Sequence, residues 1–136
     1  MVYEWVRLDT PSEEDTMRFT CNSAVAIAKG TLCVLLDENR VGAHSAAAQP
    51  VAGVAAMDKA NNDYSTTVSI WTKGRFDAKA SGALVVGQAW QTAAQANTIK
   101  LAEIDLNVVS GAQIGGKSLA TASADETVNV TLSGIW

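Results

Sequence analysis

One histidine, two cysteines and two prolines are all that this chain of 136 residues holds of those three residue types. With His44 the lone histidine, a multi-histidine metal site within one chain is excluded, and Cys21, Cys33 and His44 lack convincing spacing for a mixed one. No G-x-S-x-G elbow is present to activate a serine. Ten Lys and Arg, scattered singly, against fourteen Asp and Glu leave a net charge of −4. No cationic stripe exists to neutralise a row of phosphates, so nucleic acid is not an expected partner. No apolar run approaches membrane-spanning length, and a membrane is not an expected partner either. The opening Met1-Val2-Tyr3-Glu4-Trp5-Val6-Arg7 carries charge early and lacks the apolar core of a signal peptide. Aromatics are few: four Trp, two Tyr and two Phe, too few for a deep aromatic-lined pocket.

Small and β-branched residues fill the space instead, with 23 Ala, 14 Val and 12 Thr. The length suits one domain with a real core. Nothing points to an oxidising compartment, so Cys21 and Cys33 read as two buried free thiols. The pairs Asp37/Glu38 and Asp125/Glu126 fall at expected turns, where carboxylates are solvated. No local sequence supports a general acid–base pair. No catalytic residue, cofactor or metal is expected. The sequon Asn129-Val130-Thr131 carries little weight without secretion.

A phrase of ten residues occurs twice, 60 positions apart. The first copy runs Thr67-Val68-Ser69-Ile70-Trp71-Thr72-Lys73-Gly74-Arg75-Phe76, the second Thr127-Val128-Asn129-Val130-Thr131-Leu132-Ser133-Gly134-Ile135-Trp136. Alternation with period two puts Val68 and Ile70, or Val128, Val130 and Leu132, on one face of a strand. Further matches follow in the same order. Val51-Ala52-Gly53 corresponds to Ile114-Gly115-Gly116, and Ala28-Lys29-Gly30-Thr31-Leu32 to Val85-Val86-Gly87-Gln88-Ala89. Two similar β-rich halves of about 60 residues each are the expectation.

Along the chain, residues 1–9 alternate like an extended arm or edge strand, and Thr10-Pro11-Ser12-Glu13 has the form of a capping box. Met17-Arg18-Phe19-Thr20 favours a strand. Turns are expected at Asp37-Glu38-Asn39, Asn61-Asn62-Asp63, Ala80-Ser81-Gly82 and Gly115-Gly116. Between them lie short apolar segments at 32–36, 51–56, 66–72, 83–86, 98–102, 104–109 and 127–132. Residues 43–60 and 89–96 are Ala-rich, with room for a helical turn. The expected fold is all-β and mainly antiparallel, a small barrel or sandwich with an extended amino-terminal arm (1–16), little helix and an internal duplication, residues 17–136 forming a single domain.

Gly111-Ala112-Gln113-Ile114-Gly115-Gly116-Lys117-Ser118 fits the phosphate-loop pattern G-x-x-x-x-G-K-[ST]. A helix must follow such a loop and a further acidic strand must complete its metal site. The 18 residues that follow Ser118 read as loop and strand, so a Gly-rich turn is the better reading. His44, set among Ala43, Ser45 and Ala46, reads as an exposed loop residue.

The tryptophans are more informative. Trp71 falls with Ser69 and Lys73 on the nominally polar face, where the second copy has Thr131. A large aromatic there anchors a partner, covers the barrel end or packs in a second core layer. Tyr3 and Trp5 share one side of the arm, while Val2, Val6 and Leu8 favour the other. Such an arm lies against its own domain or a neighbour. Trp136 likewise needs a place to dock.

Read in order, Ala24-Val25-Ala26-Ile27-Ala28-Lys29-Gly30-Thr31-Leu32-Cys33-Val34, Pro50-Val51-Ala52-Gly53-Val54-Ala55, Thr67-Val68-Ser69-Ile70, Gly74-Arg75-Phe76 and Ala80-Ser81-Gly82-Ala83-Leu84-Val85-Val86-Gly87 resemble the capsid decoration, or cement, proteins of tailed bacteriophages and related viruses. The resemblance covers residues 17–92, with a looser echo to the end. It implies a non-enzymatic protein, often a homotrimer, that binds the major capsid protein on the outside of an expanded icosahedral head and stabilises it. The chemistry of the arm adds Tyr3, Trp5 and Arg7 as candidate contacts, with Trp71 beside them. Two other classes compete: a tail or fibre component, and a carbohydrate-binding module stacking sugars on Trp71 or Trp90.

Overall fold

The computed structural model describes residues 4–9, 16–22, 24–47, 49–59, 66–102 and 115–132. Tyr3, the capping box at Thr10, the Asn61–Asp63 turn, the 104–109 segment and Trp136 lie outside them. The described strands are β1 (Val6–Arg7), β2 (Thr16–Thr20), β3 (Leu32–Asp37), β4 (Arg40–Ala43), β5 (Val51–Ala55), β6 (Thr67–Trp71), β7 (Gly74–Ala80), β8 (Ala89–Thr92), β9 (Thr98–Leu101), β10 (Gly116–Lys117) and β11 (Thr127–Leu132). No helix occurs among the described residues, so the protein is all-β.

Strands β2-β4-β3-β5-β6 close into a small barrel. The second sheet runs β7-β9-β8-β10 with β11 on the far edge of β7. An antiparallel bridge between Ser118 and Val130 draws its two ends together into a second, partly closed barrel. The pairing is antiparallel except at β2–β4 and β7–β9, which occupy the same place in each half. Replacing β2, β4, β3, β5 and β6 by β7, β9, β8, β10 and β11 turns one half into the other.

The repeat is thus carried by the backbone. Gly30 and Gly87 both sit at φ +85°, each one turn before its strand, a conformation that side-chain-bearing residues rarely adopt. Asn39 and Asn97 close the matching β3–β4 and β8–β9 connections with φ 54° and 61°. The bridge Ile27↔Lys59 recurs as Leu84↔Ala122. A Cβ on Gly53 would run into the carbonyl oxygen of Trp71, and one on Gly116 into that of Thr131. Both glycines therefore let β5 and β10 approach the copies of the Thr-Val strand. Those copies are β6 and β11, with Val68, Ile70, Val128, Val130 and Leu132 all buried as the alternation requires.

Two apolar clusters result. Phe19, Cys21, Cys33, Val41, Val68 and Ile70 belong to the cluster of the first barrel. The second joins Phe76, Trp90, Ile99, Val128 and Val130 to Leu32, Val51 and Val54 of the first barrel and to Trp5. That cluster binds the two halves and the arm into one body. Both cysteines are free and buried.

Several local expectations are corrected. The Ala-rich stretches hold β5 and β8 rather than a helical turn, because their backbones are taken up in ladders with β3 and β6 and with β9 and β10. Gly116 opens β10 instead of forming a turn, because it must pass close to β11. Of residues 83–86 only Leu84 pairs, and through a single bridge. His44 is 2% exposed, not in a solvated loop, since the second barrel covers it.

Candidate functional site

The densest polar chemistry among the described residues lies at the seam between the barrels. Asn97, at the left-handed turn before β9, is 3% exposed and serves three elements at once. Its side-chain Oδ1 accepts the Leu32 N–H at 2.9 Å, its backbone carbonyl accepts the Trp5 indole N–H at 3.0 Å, and its own N–H donates to His44 Nδ1 at 3.1 Å. His44 Nε2 in turn lies 2.5 Å from the Ala93 carbonyl oxygen. A ring that accepts at Nδ1 and donates at Nε2 is the neutral tautomer, and burial holds its pKa below the ordinary 6.5. Both nitrogens are engaged, so this imidazole positions the seam and has no free lone pair for proton transfer or a metal.

The arm threads the same seam. Trp5 N–H donates to the Gly30 carbonyl at 3.0 Å, Leu8 N–H to that of Arg75 at 2.8 Å, and Val6 and Arg7 pair with Asp77 and Phe76 of β7. The Trp5 ring stands 5.4 Å from Trp90 and 6.0 Å from Phe76, in tilted packing. Arg7 bonds Asp9 through Nε at 2.9 Å and lies 5.4 Å over Trp71 and 5.7 Å over Phe76.

The sequence-predicted residues take the following places. Trp5 is 1% exposed within the chain's own core and presents no surface to a partner in this structure. Arg7 is a clamp over Trp71, its side chain 5% exposed. Trp71 packs 5.8 Å from Phe76 of the other barrel, so it is a seam residue covering a barrel end. Tyr3 lies outside the described residues. The structure brings Trp5, Arg7 and Trp71 together, but around the joint between halves. Asn97 escaped the sequence reading; its correspondence to Asn39 emerges only once the two barrels are superposed strand by strand.

Among the described residues, no three His, Cys, Asp or Glu side chains gather as they would to hold a metal ion. The phosphate-loop match lies partly outside them. Its described end, Gly115 to Ser118, packs Gly115 and Gly116 against Trp90 and leads on toward β11, with no helix among the described residues that follow. The surface also carries exposed apolar side chains. Val25, Leu36, Met17, Val85 and Val86 are between 46% and 58% exposed. A groove of about 300 Å³ beside β4 is lined by Val25, Ile27, Leu36, Val41 and Gly42 with Arg40 at its rim.

No family model matches this chain, and no curated protein does. Among solved structures, the N base of head fiber gp8.5 in bacteriophage phi29 is similar, with a TM-score of 0.53 and 14% identity over 87% of this chain and 92% of that chain. At that identity the likeness shows a shared fold, over a share of the chain that a single barrel does not reach.

Proposed function

We propose that this chain is a structural protein of a virus particle, seated on the outer surface of an icosahedral head, where it bridges major capsid subunits as a decoration protein. The observation that carries the reading is the likeness, across both barrels, to the base of a phage head fiber. The ordered resemblance of residues 17–92 to capsid decoration proteins supports it from the sequence side. So does the character of the site: a rigid seam whose polar groups are spent on one another, with apolar patches outside. A protein that works by occupying many equivalent places on a shell needs firm shape and sticky surface, and each bound copy adds to the stability of the whole. Catalysis has no part in this reading. The copies act as a homotrimer on the head.

Co-sedimentation with expanded shells tests it, with unexpanded shells as control. Binding to the expanded form alone, together with a raised shell rupture temperature, is the expected result. A folded protein that binds neither form overturns the reading. The base of a head fiber is the second reading, favoured by the identity of the structural neighbour. It predicts shell binding without any gain in rupture temperature. A carbohydrate module is disfavoured, because Trp90 is 0% exposed and Trp71 is packed between Phe76 and Arg7.

A further inference from the structure

The two barrels of one chain meet through unlike faces. The first barrel presents Leu32, His44, Val54 and Trp71, with the arm laid over Gly30; the second receives them with Phe76, Ala93 and Asn97. The repeat identifies the counterpart of each face on the opposite barrel. Phe76 corresponds to Met17, Ala93 to Leu36 and Asn97 to Asn39, by register against β6 and β11 and by spacing. Phe76 is 0% exposed and Ala93 1%, whereas Met17 is 46% and Leu36 58% exposed, and Asn39 is exposed too. The receiving face is therefore covered on the second barrel and bare on the first. The presenting face behaves in reverse. A Cβ on Gly30 would meet Glu4 and Trp5, while one on Gly87 would meet nothing within 4 Å. Gly30, Leu32 and Val54 are buried, whereas their counterparts Gly87 and Lys117 are exposed and Ala89 is half-buried.

We infer that copies of this chain join head to tail, the bare receiving face of the first barrel in one copy seating on the bare presenting face of the second barrel in the next. The occupant follows from the molecule itself, since the internal seam is the template and each copy carries one unused half of it. A contact through unlike faces closes into a ring or runs on as a chain. The seam also supplies a specific bond to look for. Leu32 N–H donates to Asn97 Oδ1 within the chain. At the corresponding places stand Ala89 and Asn39, the latter in the same left-handed conformation as Asn97. Asn39 Oδ1 of one copy thus accepts the Ala89 N–H of the next.

The bare presenting face is less apolar than its covered twin. Thr131 stands for Trp71, Lys117 for Val54 and Ala89 for Leu32. The contact between copies is accordingly weaker than the seam and depends on concentration, as terminal units of repeat proteins are softened to stay soluble. The inference deepens the self-association in the proposed function and does not need the capsid. Loss of shell binding would leave it standing, and its failure would leave shell binding untouched.

The test uses the full chain and sedimentation over a concentration series, with Met17→Glu blocking the receiving face and Ala89→Glu, at the place of Leu32, the presenting face. Met17 is exposed and Ala89 half-buried, and unchanged melting temperatures verify the folds. The parent is expected to form species larger than a dimer, each variant alone to stay monomeric, and an equimolar mixture of the two to form a one-to-one dimer and nothing larger. Asn39→Gly, which tolerates the backbone but lacks the acceptor, weakens parent assembly about tenfold, the worth of one hydrogen bond. A parent that stays monomeric throughout, variants that assemble like the parent, or a mixture that stays monomeric overturns the inference.

Discussion

Replacing Trp5 by alanine separates two roles for the arm: part of the fold, or a free limb kept for a partner. The indole is 1% exposed and packs on Trp90 and Phe76. A buried aromatic removes roughly 200 Å² from water, which at about 25 cal/mol per Å² is worth ~5 kcal/mol as an upper bound. The lost bond from the indole N–H to the Asn97 carbonyl belongs to the same substitution. Large-to-small changes at buried tryptophan cost about 3–5 kcal/mol when the site cannot collapse. The Trp5 site is walled by strands of both barrels, so the upper part of that range applies. In a domain of this size the melting temperature falls by roughly 12–25 °C, at about 3–5 °C per kcal/mol. Trp5→Phe keeps most of the ring and loses the bond, so it costs about 1–2 kcal/mol beyond the small change in area. Urea and thermal unfolding of the three proteins, followed by fluorescence and far-UV dichroism, measure both differences. A change below about 1 kcal/mol for Trp5→Ala would refute the reasoning, because an arm that adds so little to the fold would be free for another surface.

The seam makes stability depend on pH through His44. Its folded pKa is depressed, so on acidification the unfolded chain takes up a proton near pH 6.5 before the native ring does. Stability is fully present above that pH and falls as pH drops below it, levelling off only beneath the folded pKa; His44→Gln should flatten this part of the pH profile of unfolding. Gly30→Ala and Gly87→Ala impose the same backbone strain of about 1–2 kcal/mol, but only the first also meets Glu4 and Trp5. Gly30→Ala is therefore the more destabilising in urea, and its excess disappears when residues 1–9 are deleted. Burial pushes the Cys33 thiol up to about 12, so iodoacetamide at mildly alkaline pH should label it only after unfolding, as mass spectrometry of intact protein can check. If the phosphate-loop match is a packing coincidence, ATP with magnesium leaves the melting temperature of the parent and of Lys117→Ala unchanged.

Much of the scaffold was legible because alternation reports burial directly. The segments 32–36, 51–56, 66–72, 98–102 and 127–132 overlap β3, β5, β6, β9 and β11. The repeat was legible for a deeper reason. Gly30, Gly53 and the Thr-Val strand are positions where the backbone itself is constrained, and such positions keep their residues when side chains around them change. β7 was not seen as a long strand, since its buried face is Phe76 followed only by Ala78 and Ala80, too small to mark a period. His44 and Asn97 were illegible for another reason. Their burial is created by the second barrel folding onto the first, and no local pattern encodes a contact 53 residues apart. Trp5, Arg7 and Trp71 were singled out for their chemistry, and the structure gathers them; what the sequence could not supply was whether their neighbours belong to this chain or another.

The asymmetry between the copies then follows from where each one sits. Trp71 and Thr131 occupy one position of the repeat, with the same carbonyl crowded by Gly53 or Gly116. Backbone demands at that position are equal, so the difference in side chain must come from what lies outside the barrel. Outside Trp71 lie Phe76 and Arg7; the Thr131 hydroxyl receives the Lys117 N–H at 3.0 Å and its carbonyl the Trp90 indole N–H at 3.0 Å. In the first copy a large ring is stabilised by a neighbouring barrel, whereas the second copy turns its polar group back on its own edge. A chain of identical barrels would carry the ring in both. The half without the ring is the half that faces outward, and the exposed Val85 and Val86 beside Gly87 show that the outward face is less apolar without being polar throughout. That intermediate character is what the proposed contact between copies requires, weaker than the internal seam and still apolar at its centre.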